Sequence, residues 1–253
     1  MIAGALSRRK GFTFKDLTVN NFDATKIYMQ SVTANPLPNL QFFEFEAPNR
    51  NGSTYYDNKY DNKIINVTVI FYASTEALRI ATKNTILSKI IGEEGYLSFL
   101  DEPEKKYKAK VFNAVVRDDE NIFTSLDITF HASWCMFGDE KVVVLPPSKT
   151  VRNDGNLESE TIVKVTANTA CDLVTVSDGS NSFTLTGLTL GEIIYVDSEK
   201  MIVYSLVGTT KVSKMLKHSG SFIKVPVGDL DITVTGTNYD ADVEVSFRNT
   251  YLY

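Results

Sequence analysis

The chain has 253 residues, 43% of them apolar and 23% charged, which suits one large or two ordinary globular domains and excludes a disordered chain. Lys and Arg number 26 against 31 Asp and Glu, a formal charge of -5 without the basic surplus that electrostatic binding of nucleic acid requires. Val, Ile and Thr make up about a quarter of the residues, with 14 Gly and 7 Pro as punctuation, so a mainly β fold is expected.

Met1 to Leu6 is a short apolar run for a secretory signal. Ser7-Arg8-Arg9-Lys10 resembles a twin-arginine start, but polar Lys15-Asp16 and Asn20-Asn21 follow where an apolar core would be needed. No stretch approaches about 18 apolar residues, so no membrane-spanning helix is predicted, and synthesis in the cytoplasm without export or membrane insertion is the expectation.

The first strongly patterned strand is Ile64 to Tyr72, followed by one segment of helical period. From Ser74 to Ile91, residues Ala77, Ile80, Ala81, Leu87 and Ile91 fall on one stripe, with Ser74 as the expected cap and Gly92 as the stop. A single helix at about 74–91, buried against a sheet, is predicted. Tyr107 to Phe112 reads as another strand. The clearest alternation is Asp127 to Trp134, with Ile128, Phe130, Ala132 and Trp134 inward and Asp127, Thr129, His131 and Ser133 outward.

Leu145-Pro146-Pro147-Ser148 marks a boundary, because prolines do not sit inside a central strand; a short strand at 141–144 leads into it. Domains at 1–144 and 145–253 are expected. Residues 1–146 carry 17 basic and 18 acidic side chains, and the remainder 9 and 13. The second part has no helical stripe. Strands at 173–176, 182–186, 193–196, 201–204, 232–235 and 242–247 alternate with turn sequences such as Asp178-Gly179-Ser180-Asn181, the pattern of a β-sandwich.

Chemistry-bearing residues are sparse. His131 and His218 are isolated, as are Cys135 and Cys171, whose apolar contexts predict buried free thiols; none has zinc spacing. No phosphate loop, dinucleotide fingerprint or nucleophile elbow occurs. Asp101-Glu102, Asp118-Asp119-Glu120 and Asp240-x-Asp242-x-Glu244 could suggest a glycosidase pair, yet Asp242 and Glu244 lie opposite Val243, Val245 and Phe247, as solvated sheet residues do. No catalysis, cofactor or metal is expected. A sugar-binding module is the alternative reading, with Tyr195, Tyr204, Tyr239, Tyr251 and Tyr253 as candidate stacking rings and Trp134 predicted inward.

Several short motifs in order resemble one family. Phe12-Thr13-Phe14 is an aromatic entry strand; Ala47-Pro48-Asn49-Arg50-Asn51-Gly52 is similar to a Pro-Gly-Arg-x-Gly turn, with Asn49 in the Gly position. Then come the strand, the helix and Asp101-x-Pro103-x-x-x-Tyr107. The second half has Asn153-x-Gly155, Gly191-Glu192-x-x-Tyr195-x-Asp197, Gly220-Ser221-Phe222-x-x-Val225-x-Val227-Gly228 and a closing Val243-x-Val245-x-Phe247-Arg248. Glu160 and Val227 stand where Pro is common in the family. Over nearly the whole chain this resembles the distal tail protein (Dit) family of long, non-contractile tails, those of siphophages infecting Gram-positive bacteria.

The resemblance implies an N-terminal sheet or sandwich domain with one helix that forms a hexameric ring, and a C-terminal galectin-like β-sandwich. It implies a virion protein at the tail tip, joining the tail tube protein to the adsorption apparatus. The neighbours implied are a tail-associated fibre or lysin protein and receptor-binding baseplate proteins, with DNA passing through but not specifically bound. Candidate ring or tube contacts are Arg8, Arg9 and Lys10, expected to meet protein acids or solvent rather than DNA, and Arg50 and Gly52, which shape a loop.

Overall fold

The structure, a computed structural model, describes residues 10–22, 26–35, 37–45, 54–119, 123–145 and 147–252. They form two compact units, the first ending at Phe137 and the second spanning Gly138–Tyr251. The fold is mainly β with one α-helix, as its composition predicts.

In the first unit the strands are β1 (Gly11–Phe14), β2 (Leu17–Asn20), β3 (Ile27–Ala34), β4 (Leu40–Phe45), β5 (Thr54–Tyr60) and β6 (Lys63–Tyr72). Helix α1 (Glu76–Ile90) precedes β7 (Gly95–Phe99), β8 (Lys106–Asp119) and β9 (Phe123–Ala132). Seven strands make an antiparallel sheet in the order β2-β1-β7-β8-β9-β6-β3. One side chain joins the two outer strands. Asn21, just past β2, accepts the Met29 N–H of β3 at 2.6 Å and donates its amide N–H to the Met29 carbonyl at 3.0 Å. A carboxamide offers a donor and an acceptor side by side, as a paired strand does, so the sheet is drawn closed.

Inside lie the alternate residues of these strands. Ile65, Val67, Val69 and Phe71 of β6 face Leu126, Ile128 and Phe130 of β9, all fully buried. Phe130 meets Phe14 edge-on at 5.0 Å and Phe12 at 6.2 Å. Each such ring is worth about 1.5–3 kcal/mol of burial, with a smaller gain from the edge-to-face geometry. Trp134 lies beyond the end of β9, half-buried, and stacks on Tyr60 at 5.3 Å.

The helix is where its sequence places it, but turned about its axis. Its cap is Thr75, whose hydroxyl accepts the Leu78 N–H at 3.3 Å. The buried positions are Arg79, Ile86 and Ile90, while Ile80 and Ile91 are 42% and 65% exposed. The helical period was legible and its phase was not, because Ile and Ala occur on more than one side of this helix and Arg79 lies on the covered one. Ile86 and Ile90 join the core.

The strand β10 (Met136–Leu145) carries the chain into the second unit. There follow β11 (Ser148–Asn153), β12 (Ser159–Ala167), β13 (Cys171–Ser177), β14 (Ser182–Leu188), β15 (Ile193–Asp197), β16 (Ile202–Val207) and β17 (Thr210–Ser213). A 3-10 turn at Met215–Lys217 leads to β18 (His218–Gly220), β19 (Lys224–Val225), β20 (Gly228–Thr237) and β21 (Ala241–Tyr251). One sheet runs β17-β16-β15-β12-β21, the other β11-β20-β13-β14-β18. They share one core, where Val163, Val165, Ile194, Val243 and Val245 of the first meet Val174, Val176, Phe183, Leu185 and Ile232 of the second. This is a β-sandwich. Val143 and Leu145 of β10 already pack on that core, ahead of the prolines.

The Asn153-x-Gly155 motif has a clear physical use. Asn153 is 1% exposed, donates to the carbonyls of Leu157 and Val225 at 2.8 and 3.1 Å, and accepts the Gly155 N–H at 2.9 Å. A Cβ on Gly155 would lie 2.2 Å from the Thr250 carbonyl oxygen, so only glycine fits.

Replacing Asn21 by Ala strips two backbone groups of Met29 of their partner and is expected to cost about 1–3 kcal/mol. Urea unfolding should show a lower midpoint; an unchanged midpoint would remove Asn21 as the closing link. Gly155→Ala is expected to lower the second unit's thermal midpoint; an unchanged midpoint would show that the Thr250 carbonyl yields to a side chain.

Candidate functional site

The feature that the fold leaves unsatisfied is the β4–β5 hairpin. Among the described residues these two strands pair only with each other, forming a sheet of their own. Leu40 and Phe42 on one face are 36% and 53% exposed, and Phe45 is 61% exposed. Phe43, on the other face, is half-buried beneath the ammonium of Lys59 at 5.8 Å. At its root, Tyr60 is fixed against Trp134. A two-stranded ribbon is barely stable alone in water, and this one leaves Phe42 and Phe45 more than half exposed. The sequence signal was available: Leu40-Gln41-Phe42-Phe43-Glu44-Phe45 is aromatic on both parities, so neither face is polar.

Of the candidate contact residues, Lys10 is described and exposed. Its backbone N–H donates to Asp101 at 3.0 Å, while its carbonyl accepts the Asn21 N–H at 2.8 Å. Arg8, Arg9, Arg50 and Gly52 lie outside the described residues, with the turn at 47–52. The structure thus brings Lys10 beside the Asp101-x-Pro103 turn. That turn pins the start of β1, because the Leu100 N–H also donates to the Gly11 carbonyl at 3.0 Å. Tyr107, which completes the motif, is half-buried and carries Lys63 over its ring at 5.3 Å. Burial pushes the Lys63 ammonium below its ordinary pKa, with Cys135 acting weakly the other way.

A cleft of about 530 Å³ opens near the hairpin root, lined by Asn35, Asn39, Asn62, Asn66 and His131 among others. Its carboxamides offer hydrogen bonds but no nucleophile paired with a base. His131 is exposed on the outer face of β9, 6.5 Å from the Phe112 ring. His218 is sandwiched between Phe183 and Phe222 at 5.5 and 5.0 Å, and burial lowers its pKa. Both cysteines are free and buried. Among the described residues no three or more His, Cys, Asp or Glu cluster as a metal site.

In the second unit several carboxylates are held in ion pairs. Glu244 meets Lys164 at 3.1 Å, opposite the buried Val243 and Val245. The tyrosine faces are also engaged. Tyr195 stacks on Tyr204 at 5.2 Å, and Lys211 lies 3.9 Å above the Tyr204 ring. The Tyr239 hydroxyl donates to the Val234 carbonyl at 3.3 Å. Glu192, in the Gly191-Glu192 motif, is 10% exposed and clasped by Lys217 at 2.7 Å and Lys214 at 3.0 Å. Lys217 also donates to the Gly187 carbonyl at 2.7 Å, so the clasp ties the 3-10 turn to the β14–β15 connection.

Residues 25–132 match the family model of the phage tail protein RIFT-related domain. No curated protein matches the sequence. In fold the chain is similar to the SPP1 Dit (gp 19.1) protein, described as a paradigm of the hub adsorption apparatus in phages infecting Gram-positive bacteria. The TM-score is 0.70 at 12% identity, over 95% of this chain and 98% of that one. It is also similar to a chain of the phage P2 baseplate in its activated conformation with Ca, at 0.55 and 8% identity, over 95% and 98% of the two chains. For the same baseplate with Sr the values are 0.51 and 9%, over 93% and 96%. Part of the first unit thus matches a phage tail protein domain model, and the chain has the distal tail protein fold that its motifs imply.

The Glu192 clasp gives a pH dependence. Burial works to raise this carboxyl, but Lys217, the Thr189 N–H and Lys214 outweigh it and hold the pKa down at about 2, from 4.5. A carboxylate depressed on folding stabilises above its unfolded pKa and loses that contribution as pH falls through the folded one. Glu192→Gln should therefore be less stable than the parent at pH 7, with the gap narrowing between about pH 4.5 and 2. Equal stabilities at pH 7 in urea titrations would show that the clasp contributes nothing.

Proposed function

We propose that this chain is the structural hub of a phage tail tip, assembling through its first unit as a hexameric ring. The ring joins the tail tube to the host-adsorption apparatus and leaves a channel for DNA. Its place is the virion, at the tail tip, after synthesis in the host cytoplasm. The second unit serves as a galectin-like sandwich radiating from the ring. Its neighbours are the tail tube protein, a tail-associated fibre or lysin protein, and receptor-binding baseplate proteins.

The observation that carries this reading is the fold, similar over 95% of the chain to that of a hub protein at a TM-score of 0.70, with a β4–β5 hairpin that leaves Phe42 and Phe45 exposed. Likeness to a hub protein and to baseplate chains supports the role, as does the tail-protein domain at 25–132. The net charge of -5 per chain supports a bore through which a polyanion slides rather than sticks. The role is structural and not catalytic. It is favoured over sugar binding because two of the candidate rings, Tyr195 and Tyr204, stack on each other, with Lys211 over the second.

Light scattering of the purified chain is expected to give six chain masses or a multiple, with annuli in electron micrographs. A single chain mass at all concentrations, and no annuli even with tail components added, would defeat the proposal.

A further inference from the structure

The cleft of about 530 Å³ in the first unit has the size of a small-molecule site, roughly 300–1,000 Å³. Part of its lining is the outer face of the barrel, where Ile64 and Asn66 of β6 lie beside His131 of β9. The rest includes Asn35, just after β3, Asn39, just before β4, and Asp61 and Asn62 between β5 and β6. The Asp61 N–H donates to the Asn39 carbonyl at 2.9 Å, so main chain ties two parts of this lining together. The side chains of Asn35, Asn39, Asp61 and Asn62 are exposed and make no hydrogen bond or ion pair among the described residues. Asn66 accepts the Thr129 hydroxyl through its oxygen at 2.9 Å, and its amide N–H groups remain unbonded there.

Beside these polar groups stands a bare ring. The register of β8 against β9 shifts between Val111 and Asn113, and an extra residue in one strand re-aims a side chain. That residue is Phe112, 77% exposed, while Val111 and Ala114 stay packed on the core. Its centroid lies 6.5 Å from that of His131, which lines the cleft.

We propose that this cleft binds a neutral oligosaccharide, stacked on Phe112 and hydrogen-bonded by Asn35, Asn39, Asp61, Asn62 and Asn66. A pyranose has an apolar C–H face and a rim of hydroxyls, each of which both donates and accepts. An aromatic ring covers the first; carboxamides, with donor and acceptor in one plane, meet the second. Charge narrows the class. Asp61 carries the exposed formal charge of the lining, because the Lys63 ammonium is buried at 3% exposure, so a polyanion is repelled rather than held. The hydrogen-bonding groups are short side chains, most of them between strands, and not a row of free strand main chain, which selects a sugar over an extended peptide. The site lies in the first unit, apart from the tyrosines of the second. It adds a ligand to the hub reading and does not rest on it.

The test probes a printed array of neutral and anionic oligosaccharides with the full chain, then titrates the strongest neutral binder by calorimetry. Phe112→Ala and Asn62→Ala are each expected to weaken that binding about tenfold. Phe112→Trp should retain it, which separates lost stacking from lost folding, and Tyr195→Ala in the second unit should leave it unchanged. Both cleft positions are exposed, so thermal unfolding of the variants should match the parent; Asn39→Ala serves in place of one that does not. An array on which no neutral oligosaccharide binds, binding confined to anionic glycans, or an affinity that survives both alanine variants would overturn the site. Loss of binding in Tyr195→Ala would overturn it too, by moving the ligand to the second unit. All these outcomes leave ring assembly, which light scattering reads, untouched.

Discussion

An antiparallel sheet can bury one face in a small domain, but it still has edges and a second face to dispose of. That constraint organises this protein. In the first unit the edges are drawn together by Asn21 across to Met29, and the enclosed face is filled by Phe12, Phe14 and Phe130. In the second unit two sheets cover each other through Val and Ile side chains. Among the described residues the hairpin is the element for which neither solution is provided.

The outer face of the first barrel shows how a sheet stays out of unwanted contacts until its bulge. Thr68 donates to Asp127 at 2.7 Å and Thr129 donates to Asn66 at 2.9 Å, so β6 and β9 present a polar ladder. The neighbouring strand interrupts that ladder with Phe112 and Val115. Polar wall and apolar insert together define a bounded patch, which specific docking requires more than total apolar area.

The ionisable side chains are arranged for cohesion. Arg152 bridges Asp154 at 2.8 Å and Asp229 at 3.2 Å, Lys141 reaches Asp154 at 2.7 Å, and Glu192 holds two lysines. Exposed pairs such as those of Arg152 contribute little individually. Glu192 is better shielded, and its two lysines lie at either end of the 3-10 turn, which they tie to the β14–β15 connection.

Much of the framework was legible in the residues themselves. Alternation in 127–134 named Ile128, Phe130 and Ala132 as inward, because a strand's period of two leaves no choice of phase once a face is apolar, but β9 ends at Ala132 and Trp134 lies beyond it, half-buried. Buried thiols followed from local context, while Asn153-x-Gly155 and the other ordered motifs pointed to the fold through the family they resemble. The helix was different: its apolar residues spread around the axis, so the sheet it packs on decided that Arg79, Ile86 and Ile90 face inward. Likewise the closure by Asn21, the ejection of Phe112 and the isolation of the hairpin depend on strands distant in sequence meeting in one register. Local pattern carries the inside and outside of a strand; which strand lies beside it, and what is then left uncovered, is settled only when the chain has folded.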